Sequence, residues 1–200
     1  MSFFRKEPAI SCLLIGLGNP GTKYRKNRHN VGFMLVDRLA ESWDIELSRK
    51  KHGAKIGIGA IGGKRIMLVK PQSFMNLSGK PVAKIARYCR IPVQQVLVAF
   101  DDLDLPLGTL RLRPSGGSGG HRGMRSVIHH LGTQDFPRLR LGIGRPPGRM
   151  DPADYVLQDF DPEEELLLDQ VLARGAACLE RFVREGIDAA MTFCNSKTEI

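Results

Sequence analysis

Two groups of residues in this sequence have side chains that could carry out acid–base chemistry. His29 follows the basic run KYRKNR and precedes a helical pattern, and Asp101, Asp102 and Asp104 follow the apolar run VLVAF. A neutral imidazole accepts a proton near neutral pH, and a carboxylate beside it fixes its tautomer and stabilises the imidazolium. Each group also has a simpler interpretation, since a histidine before a helix is often a cap or packing residue, and clustered carboxylates are commonly turn or cap residues. A magnesium site at the carboxylates is the weaker alternative.

The segment Gly16-Leu17-Gly18-Asn19-Pro20-Gly21 matches G-x-G-x-x-G, the fingerprint of a dinucleotide-binding turn. In that turn the third glycine opens a helix whose N-terminus holds the pyrophosphate. Here the third glycine is followed by TKYRKNRHN, which is charged and lacks helical apolar periodicity. Asp37 has the spacing of the ribose-binding acid but falls inside a predicted helix. The pattern therefore argues against a dinucleotide site.

The segment Gly116-Gly117-Ser118-Gly119-Gly120 matches G-x-S-x-G, the nucleophile elbow of α/β-hydrolases. That fold requires an acid and then a histidine after the serine, and no histidine follows Asp135, the first later acid. Ser118 is therefore not predicted to be a nucleophile. A glycine-rich loop flanked by basic residues suits the close approach of a phosphate or ribose, and a merely flexible surface loop is the alternative.

Length and composition predict one domain without a membrane span. Two hundred residues, 42% of them hydrophobic, suffice for one sizeable core. No apolar run approaches the ~20 residues of a membrane span, and the first residues do not resemble a secretion signal. The four cysteines lack C-x-x-C spacing, which predicts buried free thiols in a reducing cytoplasm: Cys12, Cys89, Cys178 and Cys194.

Charge is distributed unevenly along the chain. Residues 151–200 contain four basic and twelve acidic residues, a net charge of −8, whereas residues 1–150 contain twenty-six basic and nine acidic residues, a net charge of +17. This asymmetry predicts one basic face that binds a polyanion and an acidic segment that stays clear of it. Nucleic acid is favoured as the partner over the alternative of an ordinary solvated surface.

Strand and helix patterns alternate along the chain, which predicts an α/β fold: a single domain with a mixed twisted sheet flanked by helices. A hairpin is predicted at 54–69, with Gly62-Gly63 as its turn. The segment 145–152 is predicted to be a loop. The other predicted strands are 11–17, 94–100, 108–114 and 138–144, and the predicted helices are 30–43, 78–90, 123–131 and a C-terminal helix that starts at 161–165.

Taken together, several motifs resemble those of bacterial peptidyl-tRNA hydrolases. They keep that family's order over about residues 13 to 190, and the ordered set is more specific than any one motif. The matching residues are Gly16–Gly21, Tyr24, Arg28–Gly32, Lys70-Pro71, Phe74–Gly79, Asp101–Asp104, Gly119–His121 and Arg138–Gly144. The resemblance implies one domain over residues 1–200, in which residues 1–10 are an N-terminal extension.

The resemblance implies an esterase that uses neither metal nor cofactor and cleaves the ester between a peptide and the terminal ribose of tRNA. His29 would be the general base, with Asp101 bound to its other ring nitrogen. Asn76 would donate its amide to the carbonyl oxygen or position the water. Asn19 would lie beside the blocked amino end of the substrate, which answers what the glycine-rich turn does.

The same resemblance implies the contacts to tRNA. Tyr24 and Phe74 would line the path of the tRNA end, and Arg113 and Arg140 would bind its 5′ phosphate. Many family members have asparagine at the position of Arg122, where it contacts the acceptor end. An arginine there has a longer arm and a charge, so we expect binding to survive with a stronger salt dependence.

Two other function classes remain at this point. The first is an RNA-binding protein without catalysis on the same fold, as in chloroplast splicing-factor relatives of the family; the presence of His29, Asp101, Asn19 and Asn76 favours the enzyme. The second is a nucleotide-dependent enzyme. Two features argue against it: the glycine fingerprint fails, and the sequence has no G-x-x-x-x-G-K-[ST] motif. The family resemblance implies a monomer, and the absence of a heptad pattern agrees with it.

Overall fold

Seven strands form one mixed sheet in the computed structural model, which describes residues 9–196. The order across the sheet is β2-β3-β4-β1-β5-β7-β6. β1 pairs in parallel with β4 and β5, and β5 pairs in parallel with β7, whereas the other neighbours are antiparallel. The strands are β1 (Cys12–Gly16), β2 (Arg49–Lys51), β3 (Ala54–Ile61), β4 (Lys64–Pro71), β5 (Val96–Asp102), β6 (Leu110–Arg113) and β7 (Arg138–Gly142).

Residues 9–196 also form six α-helices and several 3-10 turns; the first three helices lie between strands, and the other three follow the last strand. The helices are α1 (Val31–Ser42), α2 (Gly79–Cys89), α3 (Arg122–Leu131), α4 (Pro152–Tyr155), α5 (Glu165–Glu185) and α6 (Ile187–Asn195). The 3-10 turns that matter for the site are Arg28–Asn30, Met75–Leu77 and Pro162–Glu164. Across residues 9–196, no helix has both the length and the apolar character needed to span a membrane.

The sheet is covered by helices on both faces because its strands alternate two sets of apolar side chains. Successive residues of a strand point to opposite faces. Leu13 and Ile15 belong to the cluster that contains α2 and α3, whereas Leu14 belongs to the cluster that contains α1, α5 and α6. The predicted α/β class with a mixed sheet flanked by helices is confirmed.

The predicted elements are present, and the C-terminal part of the chain contains two features that the sequence did not predict. The predicted loop at 145–152 ends in the short helix α4, which Asp151 caps by accepting a hydrogen bond from the Ala153 amide. The C-terminal helix starts within 161–165, as predicted: Asp161 and Glu164 form a capping box around a 3-10 turn, and α5 begins at Glu165. Gly186, with φ +94°, then separates α5 from α6, a break that the sequence pattern did not predict.

The sequence predicted Asp101 and Asp102 after the strand, but both residues lie inside β5. Their backbone pairs with Leu141 and Gly142 of β7, so the parallel ladder extends to the last residue of the strand. The hairpin turn at Gly62-Gly63 is confirmed, and both glycines have positive φ, as a tight two-residue turn requires. The N-terminal extension at 1–10 lies outside the described residues except for its last two.

The opening glycines serve close packing between β1 and α1. A Cβ atom added to Gly16 would come 2.0 Å from the carbonyl oxygen of Gly32, and one added to Gly32 would come 2.5 Å from the carbonyl oxygen of Ala99. Neither position has room for a side chain. The glycines therefore bring the start of α1, and with it His29, against the ends of β1 and β5.

Candidate active site

The site is centred on Asp101, which is buried at the carboxyl end of β5 and 3% exposed. Its carboxylate contacts two histidines. His29 Nδ1 lies 2.8 Å from Oδ1 and 2.9 Å from Oδ2, and His121 Nε2 lies 2.9 Å from Oδ1. Parallel strands end at one edge of a sheet, where the loops that follow or face them can converge.

His121 has one tautomer that satisfies all of its contacts. Its Nδ1 accepts a hydrogen bond from the backbone amide of Met124 at 3.1 Å, which caps α3. Because that nitrogen is an acceptor, Nε2 carries the proton and donates it to Asp101. Its ring also packs edge-on against Phe100, with 4.9 Å between centroids. His121 was not predicted to be a site residue, although it directly follows the glycine-rich loop in one of the matching motifs.

His29 presents its other ring nitrogen to the surface. Asp101 accepts the Nδ1 proton, so Nε2 is unprotonated in the neutral ring and can accept a proton. The side chain is 12% exposed, which leaves a narrow access for water. This is the arrangement that a general base needs.

The turn that holds His29 is locked by the segment after α4. The amides of Arg28 and His29 donate to the carbonyl oxygens of Gln158 and Val156, each at 2.8 Å. The buried Arg28 guanidinium pairs with Glu164 at 2.5 Å and lies over the ring of Tyr155, 4.6 Å from its centroid. Part of the acidic C-terminal segment therefore holds the turn that carries His29 in place.

The Asp101 carboxyl is ionised at neutral pH. Burial by itself would raise its pKa, but the attraction of His29 and His121 and the hydrogen bonds from both rings outweigh that effect. The pKa of Asp101 therefore lies below its ordinary value. An ionised carboxylate is the stronger acceptor for the two ring N–H groups, and it stabilises an imidazolium at either ring.

The same three side chains are of types that could hold a metal ion, and their nearest ligand atoms lie within 4.8 Å of one another. Their geometry fits direct hydrogen bonding better. Ligand atoms around a four-coordinate zinc are about 3.3 Å apart, because each lies about 2.0 Å from the ion. Here the two His–Asp separations are 2.8 and 2.9 Å, and both rings share the one oxygen Oδ1.

Asn19 is buried and held in one orientation beside this cluster. Its backbone amide donates to Asn30 Oδ1 at 2.8 Å, and Asn30 Nδ2 donates back to its carbonyl oxygen at 2.9 Å. Its side-chain Oδ1 accepts from the Met75 amide at 2.8 Å. With Oδ1 so fixed, Nδ2 is the donor that has no protein partner within residues 9–196.

The three other residues predicted to meet the substrate lie on, or directly before, two 3-10 turns. Asn76 is exposed on the turn Met75–Leu77, whose first amide binds Asn19, so the two asparagines are brought together. Phe74 precedes that turn and is 57% exposed. Tyr24 is half-buried at the end of the turn after Gly21, with the Lys23 ammonium 4.7 Å from its ring centroid.

The arginines predicted to bind tRNA lie outside the hydrogen-bonded cluster. Arg140 pairs with Asp102, and that hydrogen bond, against the effect of burial, raises the pKa of the guanidinium. Arg113, on the neighbouring strand β6, is exposed, as is Arg122 at the start of α3. Arg122 directly follows His121, so its charge adjoins the site.

The glycine-rich loop is anchored to the sheet by Arg138, which is 2% exposed. Its guanidinium donates to the carbonyl oxygens of Gly116, of Gly117 at 3.1 Å and of Gln134 at 2.7 Å. Burial lowers the pKa of Arg138 to about 10, against the attraction of Asp135. These bonds do not fit a merely flexible loop at Gly116 and Gly117.

Comparisons with known proteins agree with one another. A family model described as Peptidyl-tRNA hydrolase matches residues 13–200. The chain is 52% identical over 184 residues to peptidyl-tRNA hydrolase of Chloroflexus aggregans, covering 92% of this chain and 98% of the relative. It is also 52% identical over 195 residues to the chloroplastic peptidyl-tRNA hydrolase of Arabidopsis thaliana, covering 96% of this chain and 68% of the relative. A crystal structure of peptidyl-tRNA hydrolase from Acinetobacter baumannii superposes with a TM-score of 0.88 at 34% identity, covering 94% of this chain and 96% of that one.

Proposed function

The chain belongs to the peptidyl-tRNA hydrolase family and is an enzyme that hydrolyses peptidyl-tRNA, and we propose that His29, oriented by Asp101, activates the water. The observation that carries this mechanism is the Asp101 carboxylate bound to His29 Nδ1, which leaves Nε2 as the acceptor of a proton. Hydrolysis of this ester requires no covalent intermediate, because the ribose hydroxyl is an adequate leaving group once water is activated.

The proposed reaction proceeds in two proton transfers. Water attacks the carbonyl carbon of the ester while its proton passes to Nε2 of His29. The tetrahedral intermediate then expels the ribose oxygen, which takes the proton from Nε2 of His29. The products are the free peptide acid and tRNA. General-base catalysis of this kind supplies ~10²–10⁴-fold in rate.

The two asparagines are proposed to act on the carbonyl group and the peptide. Asn76, exposed next to the residue whose amide binds Asn19, donates its own amide to the developing oxyanion or positions the water. One such donor contributes ~10²–10³-fold. Asn19 presents Nδ2 to the first peptide unit, so that a substrate with a blocked amino group is preferred. The rigid hold on its Oδ1 supports this role, because an oriented donor needs no reorganisation.

The remaining contacts are proposed to bind tRNA without reading its sequence. Arg113 and Arg140 bind the 5′ phosphate, Arg122 contacts the acceptor end, and Tyr24 and Phe74 line the path to the site. Contacts to phosphate and ribose accept every tRNA, as recycling requires. We further propose that the enzyme is a cytoplasmic monomer that needs no metal or cofactor.

The test is release of N-acetyl-amino acid from N-acetyl-aminoacyl-tRNA in the presence of EDTA. We expect the wild type to remain active and His29→Ala to lose ~10²-fold or more. His129→Ala, which removes an exposed histidine of α3, is the control and should retain activity. A wild type that binds tRNA but releases nothing would instead support the non-catalytic RNA-binding alternative. A rate lost on chelation would refute the metal-free mechanism.

A further inference from the structure

The charge asymmetry of the sequence becomes an asymmetry between the two helix layers. α2 and α3, which cover one face of the sheet, contain no aspartate or glutamate. On the opposite face, α1, α5 and α6 carry seven acidic residues: Asp37, Glu41, Glu165, Asp169, Glu180, Glu185 and Asp188. One broad side of the molecule is therefore basic and the other is acidic.

α2 presents a line of three cations on its outer side. Lys80, Lys84 and Arg87 have the spacing i, i+4, i+7, which places them on one face of a helix, and all three are exposed. The other side of α2 is buried in the core through Val82 and Ile85. We call the line of Lys80, Lys84 and Arg87 the α2 face.

These three cations have no acidic partner in the part of the chain that the structure describes. On α5, by contrast, Arg181 pairs with Glu185 at 3.2 Å and Arg184 pairs with Glu180 at 2.8 Å. Charges of one sign in a row repel one another and cost stability unless something neutralises them. The α2 face is therefore complementary to an extended polyanion.

The α2 face starts at the site and leads away from it. Asn76 lies three residues before Gly79, the first residue of α2, and the helix is about 16 Å long at 1.5 Å per residue. α3 packs directly beside α2, because a Cβ on Gly79 would come 2.0 Å from the carbonyl oxygen of Ser126. α3 also begins at the site and adds Arg122 and Arg125 to the same outer surface.

We propose that the α2 face binds the phosphate backbone of the tRNA acceptor arm beyond the nucleotides that enter the site. The proposal rests on the proposed function, which places the end of an RNA at Asn76. A double-helical RNA leaving that point meets phosphates at intervals along its backbone, and flexible lysine and arginine side chains neutralise them without sequence preference. An acidic protein partner would not explain why the line of charge begins at the site of an RNA ester.

The variant Lys84→Gln/Arg87→Gln tests the proposal, because both residues lie at least one helical turn from Asn76. Its matched control is Arg181→Gln/Arg184→Gln, which removes the same charge from two exposed positions on the acidic layer. Affinity for deacylated tRNA is measured over a range of salt concentrations. Hydrolysis is measured with full-length N-acetyl-aminoacyl-tRNA and with a short N-acetyl-aminoacyl oligonucleotide that ends a few nucleotides from the ester.

We expect the α2 variant to bind tRNA on the order of tenfold more weakly at 0.1 M salt. The slope of log K against log salt should fall by about 1.4 to 1.8, the release expected for two phosphate contacts. KM for the full-length substrate should rise as the affinity falls, whereas the short substrate should be hydrolysed at the wild-type rate.

Three results would overturn the proposal. The first is wild-type affinity and salt slope in the α2 variant. The second is an equal loss in the α5 control, which would mean that only total charge matters. The third is an equal loss on the short substrate, which would place the effect in the site itself. A wild type that binds tRNA through the α2 face yet hydrolyses neither substrate would refute the proposed function and leave this surface supported.

Discussion

Replacing Asp101 with asparagine should stop catalysis by turning the base into the wrong tautomer. An asparagine side chain has one oxygen that accepts and one amide group that donates, whereas the carboxylate accepts through both oxygens. His121 must donate through Nε2, because its Nδ1 is already held by the Met124 amide. It therefore holds the asparagine oxygen at the shared Oδ1 position, and the amide group takes the Oδ2 position, 2.9 Å from Nδ1 of His29.

The magnitude follows from the role of that nitrogen. A His29 ring that keeps its proton on Nδ1 sets two N–H donors against each other at 2.9 Å. When the proton moves to Nε2, Nδ1 accepts from the amide, and Nε2 no longer accepts a proton from water. The loss of general-base catalysis and of the stabilised imidazolium is ~10³-fold in kcat, or about 4 kcal/mol of transition-state stabilisation. KM should change little, because Asp101 is buried and is not expected to touch tRNA.

The assay is steady-state hydrolysis of N-acetyl-aminoacyl-tRNA, with ¹⁵N NMR of the histidine rings to read the tautomers. Asp104→Asn is the control, since Asp104 is half exposed and pairs with Arg145 rather than with a histidine. Asp101→Asn activity within threefold of the wild type, or a His29 ring that keeps its proton on Nδ1, would refute the reasoning.

A second substitution sharpens the same test. Changing His121 to phenylalanine in the Asp101→Asn background removes the competing donor while keeping a ring beside Phe100. The asparagine side chain can then rotate so that its oxygen alone faces Nδ1 of His29, and we expect activity about tenfold above that of Asp101→Asn alone. A double variant no faster than the single one would show that His121 does not control the tautomer of His29.

Two further predictions concern stability. Gly32→Ala should lower the free energy of unfolding by about 1–3 kcal/mol in chemical denaturation, because its Cβ would overlap the Ala99 carbonyl at 2.5 Å and the Leu17 backbone at 2.7 Å. Gly117→Ala is the control and should be neutral, because a Cβ there meets nothing within 4 Å. Equal losses in the two variants would contradict the packing argument. The lowered pKa of Asp101 predicts a contribution to stability that is fully present above the unfolded-state pKa of about 4 and is lost as the pH falls toward the folded-state pKa. The difference in free energy of unfolding between wild type and Asp101→Asn should therefore shrink in acid, and a difference independent of pH would contradict this.

The sequence by itself determined the secondary structure of the site and the types of its reacting groups. The apolar run before Asp101 required a buried strand, and the periodicity after Asn30 required a helix, so both side chains were predicted at element ends. The excess of basic over acidic residues in the first 150 positions was likewise visible in the composition. Such features are local, because they depend on neighbours a few positions apart.

Element boundaries that depend on distant partners were not predicted. β5 extends through Asp102 because β7 pairs with it, and α4 forms where Asp151 caps a segment that also supports His29. Gly186 separates α5 from α6. The sequence did not predict this break, because an isolated glycine is also tolerated inside a helix.

Only the tertiary structure decided how the reacting groups are connected. His29 and Asp101 are separated by 72 positions, and Asp101 and His121 by 20. The parallel strands and the contact of Gly16 with Gly32 bring them to one edge of the sheet. The proton positions follow from hydrogen-bond capacity: one carboxylate accepts from two rings, and one of those rings is held by a helix amide. Spacing along the chain does not encode that capacity, because it arises only when three segments meet.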